Sequence, residues 1–224
     1  KLSAEATYTH TVVANNTVYA IYTKNPDNIV YLKPSHSWKS NNAQFAVKYG
    51  GTNHMMTEAE DCCEEKYYKV TIPSQYSKFN FVRLSDNGTT EWNVTGEISV
   101  PTDGKNLYDM TKIYLKPNAN WKSDGARFAA YFFVNGYTDS KKKWMSMLPT
   151  DEDGVFYCDF PTDHIFDRVS LTRMNGAESY NDWAYRLNQT KDIDLFQGYN
   201  SYELEEGKWG KDNSNPQEDD EMNV

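Results

Sequence analysis

The sequence predicts an all-β chain made of two tandem β-sandwich lobes held in a fixed relation. Three observations predict it. An internal repeat divides the chain into two halves of similar order. Within each half, short runs rich in aromatic and β-branched residues alternate with Pro, Gly and Asn-Gly or Asp-Gly punctuation. No stretch keeps a 3.6-residue apolar period for three turns, so no amphipathic helix is expected.

The repeat begins at Val30-Tyr-Leu-Lys-Pro34, which returns as Ile113-Tyr-Leu-Lys-Pro117. Three residues later Trp38-Lys-Ser40 matches Trp121-Lys-Ser123, and Ala43-Gln-Phe-Ala46 matches Ala126-Arg-Phe-Ala129. Pro73 then corresponds to Pro161 and Arg83 to Arg173. Asn93-Val-Thr-Gly-Glu-Ile98 pairs with Asn188-Gln-Thr-Lys-Asp-Ile193, and Gly104–Tyr108 with Gly198–Tyr202. The offset grows from 83 to 95 along the chain, so the copies differ by short loop insertions.

In the second copy the spacing predicts strands at Ile113–Leu115, Arg127–Phe133, Trp144–Leu148, Val155–Phe160 and Val169–Met174. Thr57-Glu-Ala-Glu60 has the form of a capping box. Its counterpart is the turn Pro149–Gly154, so a loop with at most one helical turn is expected there. The apolar segment Thr7–Tyr22 reads as an added strand of the first lobe. Only Asp109–Lys112 separate the two copies, too few residues for a flexible tether. The first lobe is therefore assigned to 1–110 and the second to 111–210. The charged segment 211–224 (KDNSNPQEDDEMNV) is assigned to a disordered acidic linker.

With 32 Asp+Glu against 23 Lys+Arg, the formal charge is −9, which argues against a phosphate-tracking nucleic-acid partner. The mean hydropathy is −0.81, and no apolar run has the length of a membrane span. The opening residues lack the order of a signal peptide, so a mature chain or a fragment is expected. Rings outnumber branched aliphatics: 33 Phe, Tyr and Trp against 30 Leu, Ile and Val. Tyr and Trp can form a core, yet each also offers a flat face with a polar tip.

The three cysteines, adjacent Cys62 and Cys63 and distant Cys158, form no disulfide framework and no zinc spacing. No nucleophile elbow, phosphate loop or metal-binding helix is present, and the four histidines fall at unmatched places in the copies. The acidic residues sit mostly in turns or the tail, where solvated charge is the simple reading against a carboxylate pair of a hydrolase. Asp151–Gly154 could offer oxygen ligands to calcium, but Asp-Gly is first a hairpin turn. No enzyme, cofactor or metal is expected.

Two kinds of loop carry rings. Lys33-Pro34 and Lys116-Pro117 each lead into a polar loop with one indole, Trp38 followed by Lys39 and Trp121 followed by Lys122. A second loop follows each repeated arginine. It spans Asp86–Trp92 in the first copy and Asn175–Tyr185 in the second, where it carries Tyr180, Trp183 and Tyr185. Trp among Lys, Asn, Asp and Ser suits a sugar, with the ring on the C–H face and the neighbours on the hydroxyls. For Trp38 and Trp121 a lid over the core and a ligand platform are both open. Trp183 lies in an insertion peculiar to the second copy, which favours a ligand. Trp92 aligns with Leu187, which favours core. Trp144 opens a strand and fits either role.

The string IYLKPNANWKSDGARFAAYFF…WMSM…RMN…LNQT, over about residues 29–205, resembles the small β-sandwich carbohydrate-binding modules of gut Firmicutes. It is most similar to the starch-binding domains of ruminococcal starch-adherence proteins of the amylosome. The resemblance implies an Ig-like sandwich of carbohydrate-binding-module type, non-catalytic, binding α-1,4-glucan such as starch or maltooligosaccharides in a groove made with both lobes. It also implies secretion, a place on the bacterial cell surface, and other amylosome proteins as partners of the parent chain. The first copy departs from the pattern: RMN becomes Arg83-Leu-Ser85 and the Gln of NQT becomes Val94. The candidate contacts are Trp38, Lys39, Trp92, Trp121, Lys122, Tyr180, Trp183 and Tyr185. The competing class is a tandem Ig-like module recognising protein, for which soluble maltooligosaccharides would give no calorimetric heat.

Overall fold

The structure is a computed structural model that describes residues 27–60, 66–101, 106–136, 141–198, 200–204, 208–209 and 215–216. Among the described residues the first copy forms β1 (Asn28–Lys33), β2 (Gln44–Tyr49), β3 (Thr52–Met55), β4 (Thr57–Glu60), β5 (Lys66–Ile72), β6 (Lys78–Leu84), β7 (Glu91–Val94), β8 (Ile98–Ser99) and β9 (Leu107–Asp109). The second forms β10 (Lys112–Lys116), β11 (Arg127–Phe133), β12 (Lys142–Ser146), β13 (Leu148–Pro149), β14 (Phe156–Asp159), β15 (Arg168–Met174), β16 (Arg186–Gln189), β17 (Ile193–Asp194) and β18 (Ser201–Glu203).

The two sets have the same topology. One sheet runs β4-β5-β1-β9 in the first copy and β13-β14-β10-β18 in the second. The other runs β3-β2-β6-β7 with β8 beside β6, and β12-β11-β15-β16 with β17 beside β15. All pairings are antiparallel except β1 with β9 and β10 with β18, which are parallel. The all-β expectation holds. Period-two alternation makes each sandwich: along β11, Phe128, Ala130 and Phe132 enter the core, while Tyr131 and Phe133 face outward and are half-buried. Ile113 and Leu115 of β10 and Val169 and Leu171 of β15 meet those core rings. Val30, Leu32, Phe45, Val47, Phe79 and Phe81 do the same in the first copy.

The repeated motifs build the scaffold. Each Trp loop closes with the two residues after its WKS run in the left-handed region. These are Asn41 and Asn42 (φ 60° and 54°) in one copy, Asp124 and Gly125 (57° and 63°) in the other, residue types that tolerate it. Thr95 Oγ1 accepts from the Phe81 N–H, and Thr190 Oγ1 accepts from the Leu171 N–H at the same place.

Contacts between the copies centre on a short 3-10 turn, Leu195–Gln197. Trp38 Nε1–H donates to the Phe196 carbonyl at 3.2 Å, and the Phe196 ring packs on the first core. The Ser37 hydroxyl donates to the Phe166 carbonyl at 2.7 Å. Gly198 (φ +77°) follows the turn, where a Cβ would stand 2.7 Å from Trp38 Cζ2 and 2.8 Å from Thr95 Cγ2. Asn200 Nδ2–H reaches the Asp109 carbonyl.

Some expectations are corrected. Thr57–Glu60 is a strand paired with β5, not a loop or helical turn; a β-sheet partner outweighs the local capping signal. The run read as Trp144–Leu148 is two strands, Lys142–Ser146 and Leu148–Pro149, on different sheets. Asp151–Gly154 turns the chain between β13 and β14, with Gly154 at φ +75°. Of the segment 211–224 only Asn215–Pro216 is described, a two-residue strand against Lys208–Trp209, which pairs with β18. Thr7–Tyr22 and Cys62–Cys63 lie outside the described residues. Cys158 is a buried free thiol. Among the described residues no helix is long and apolar enough to cross a membrane, and no cluster of His, Cys, Asp or Glu could hold a metal.

Candidate functional site: an aromatic platform on the second lobe

The eight sequence-predicted contacts fall in four places, the two Trp loops, Trp92 and the 175–185 loop. Trp38 and Trp121 are both 0 % exposed. Each stacks on the first core ring of its next strand, Phe45 (6.3 Å, 5°) and Phe128 (6.3 Å, 11°). An indole with no accessible face cannot stack on a ligand, so the platform expectation for these two is corrected to the lid reading. Lys39 and Lys122, beside them, are exposed. Trp92 lies on the first lobe, with its ring 4.7 Å from the Arg83 guanidinium carbon. Tyr180, Trp183 and Tyr185 share one loop on the second lobe.

That loop, 175–185, is anchored over the outer face of the β12-β11-β15-β16 sheet. Arg127, on β11, donates to the Asn175 carbonyl, to Asn181 Oδ1 at 2.8 Å and to the Tyr180 carbonyl at 2.7 Å. Asn181 Nδ2 donates to Ser146 Oγ on β12, and Asp182 caps the 3-10 turn Trp183–Tyr185 by accepting from the Ala184 N–H. Gly176 lets the loop cross the Gly125 backbone, where a Cβ would stand 1.9 Å from the Gly125 carbonyl oxygen. The first lobe has a shorter loop held by Gln44, the equivalent of Arg127, through one bond to the Asp86 carbonyl.

The anchored loop sets Trp183 against two outward rings of the sheet. Trp183 meets Tyr131 edge-on at 4.7 Å and Trp144 at 4.9 Å, and Tyr131 and Trp144, paired across β11 and β12, are 4.7 Å apart. Phe133 extends the row 5.5 Å from Tyr131. Trp183 is 39 % exposed, and Tyr131 and Trp144 are half-buried. The Arg186 guanidinium lies 5.1 Å from the Trp183 ring centre and donates to Gln189 Oε1, while its buried Nε–H has no partner. At the rim the Tyr180 and Tyr185 hydroxyls bond each other at 2.7 Å, which pushes the Tyr185 phenol up to about 12. Sequence reasoning missed Tyr131, Arg186 and Gln189 and left Trp144 undecided.

Strand register shows what the first lobe puts at the same positions. Lys48 stands for Tyr131, Asn53 for Trp144 and Glu91 for Arg186. These three satisfy one another: Lys48 Nζ donates to Glu91 at 2.9 Å and Asn53 Nδ2 at 2.8 Å, holding the Glu91 carboxyl below the usual range. One lobe closes its outer face with a hydrogen-bonded ion pair; the other opens a surface of rings beside a guanidinium.

No family model and no curated protein matches the chain. Among solved structures it is similar to a product complex of the multi-modular glycogen-degrading pneumococcal virulence factor SpuA. That match has 10 % identity, a TM-score of 0.30, and covers 79 % of this chain and 20 % of the other. Family 41 carbohydrate-binding modules from streptococcal virulence factors, described for α-glucan recognition, match at 11 % identity with a TM-score of 0.29, over 85 % of this chain and 95 % of theirs. A streptococcal virulence factor described for α-glucan binding matches at 12 % and 0.27, over 79 % and 92 %. The chain thus spans a fifth of the first of these structures. Likeness at this level carries no conclusion about this chain.

Proposed function

We propose that the chain is a non-catalytic carbohydrate-binding module that holds α-1,4-glucan on the platform of its second lobe. The observation that carries this reading is the Tyr131–Trp144–Trp183 group. Three rings are held partly exposed beside the Arg186 guanidinium, at positions the first lobe fills with a self-satisfied ion pair. Sugar C–H faces stack on the rings, while the Arg186 guanidinium and the Tyr180 and Tyr185 hydroxyls bond sugar hydroxyls. The rings tilt 53–68° to one another, which suits a curling chain better than a flat one.

Starch as the polymer, secretion, a bacterial surface location and partners in an amylosome rest on the resemblance of the KP…WKS repeat to starch-adherence proteins. The acidic charge leaves nucleic acid out of the reading, and binding needs no cofactor or metal. Affinity electrophoresis through amylopectin tests it: the intact chain is retarded, and W144A/W183A runs at its ligand-free mobility with its melting temperature kept. Retention by that variant, or a matching shift in a dextran gel, overturns the proposal.

A further inference from the structure

A groove of about 720 Å³ runs along the join of the two copies, beneath the β13–β14 turn. That volume is in the range of small-ligand sites. Its floor is the outer face of β10 and β14, where Tyr114 and Tyr157 pair across the strands with ring centres 6.2 Å apart and planes 34° apart. The first copy closes one side with Tyr108 and Asp109 of β9. The second closes the other with Glu152 of the turn and Glu203 of β18.

We infer that this groove is a second oligosaccharide site, lined from both copies, that takes a neutral glucan segment. The inference rests on the glucan reading of the platform. Two observations give the ligand its chemistry. Both signs of charge line the groove, Lys112 and Lys116 against Asp109, Asp151, Glu152 and Glu203, with Lys112 bonded to Asp159 at 2.6 Å and Lys116 3.7 Å from Glu203. Such a lining, with its excess of carboxylates, does not collect phosphate or another anion. It does offer acceptors and donors together, which a sugar hydroxyl uses in both capacities. The rings supply the apolar floor, with Lys112 Nζ 4.7 Å from the Tyr157 ring centre.

The internal duplication supplies a control. At the equivalent pair the first copy has Tyr31 opposite Lys69, so the fold forms without two rings there. The walls are also fixed. Asn200 bonds the Asp109 carbonyl of the other copy, and its own carbonyl accepts the Tyr114 N–H at 2.7 Å. A ligand therefore meets a groove that needs little ordering on binding.

Titration calorimetry of the full chain with maltoheptaose, followed in parallel by tryptophan emission, tests the inference. No Trp lines the groove, so emission reports the platform and heat reports both sites. The intact chain is expected to bind two equivalents. W144A/W183A retains one, with no emission change, and adding Y157K (the residue of the first copy) weakens it at least about tenfold. Y114T, a strand-compatible second variant, does the same. Binding of one equivalent by the intact chain, all of it lost in W144A/W183A, overturns the groove and leaves the platform standing. One equivalent that survives in W144A/W183A and falls with Y157K overturns the platform and sustains the groove. An intact chain that gives no heat overturns both.

Discussion

The Nε–H of Arg83 donates to the Trp38 carbonyl at 2.8 Å, and its NH2 group reaches both the carbonyl and the hydroxyl of Ser40. Arg173 repeats these bonds to Trp121 and Ser123 at nearly the same lengths. The repeated arginine is the clamp that fixes each Trp loop. Arg83 is only 4 % exposed, and burial lowers its pKa. Arg83→Met strands buried carbonyls and should cost about 3 kcal/mol. Arg173→Met should cost less, because Asp124, one of its partners, is open to water. Urea denaturation of both variants measures the difference; equal losses would remove the distinction between the two ends.

Trp38 and Trp183 should separate stability from binding. Trp38→Ala empties a fully buried site and should lose about 3–5 kcal/mol, with glucan retention intact in the fraction that stays folded. Trp183→Ala takes away a ring 39 % exposed and should change the melting temperature little while weakening retention in an amylopectin gel.

Gly198→Ala should loosen the join. The new methyl must displace Trp38 or Thr95, and φ +77° is strained for alanine. About 2–4 kcal/mol is expected from strain and overpacking together, read as a lower melting temperature and as an emission change from Trp38.

Glu91 gives the first lobe a pH signature. Its folded pKa is depressed by the bonds from Lys48 and Asn53. Its stabilisation is therefore present above the unfolded value, about 4.3, and is lost as pH falls through the folded value. The group is about a third exposed, so solvent screening keeps the contribution near about 0.5 kcal/mol. E91Q should be less stable than the parent at pH 7, and the difference should shrink as pH falls below the unfolded value.

Cys158, buried against the second core with its thiol pushed up to about 12, should resist alkylation in the native chain. Peptide mapping after iodoacetamide treatment at pH 8 should find it unmodified until denaturant is added.

The duplicated topology was readable because both copies spell the same strand starts, and β11 falls at the predicted Arg127–Phe133. The site was harder for a physical reason. Residues shared by two copies are shared because both must fold, so Trp38, Trp121, Arg83 and Arg173 mark scaffold. The proposed binding residues lie where the copies differ, as Trp183 does within an insertion. Tyr131 carried the same signal, since alternation turns it outward and the other copy has Lys48 there. Gln189 carried it too, since the first copy has Val94 there, whereas Arg186 gave no such sign until the register set it opposite Met174.

In each copy the first and last strands of the sandwich run side by side in the same direction, β1 with β9 and β10 with β18. Pulling residues 28 and 109 apart therefore slides those strands past each other. Their backbone bonds share the load and must fail together instead of unzipping one by one.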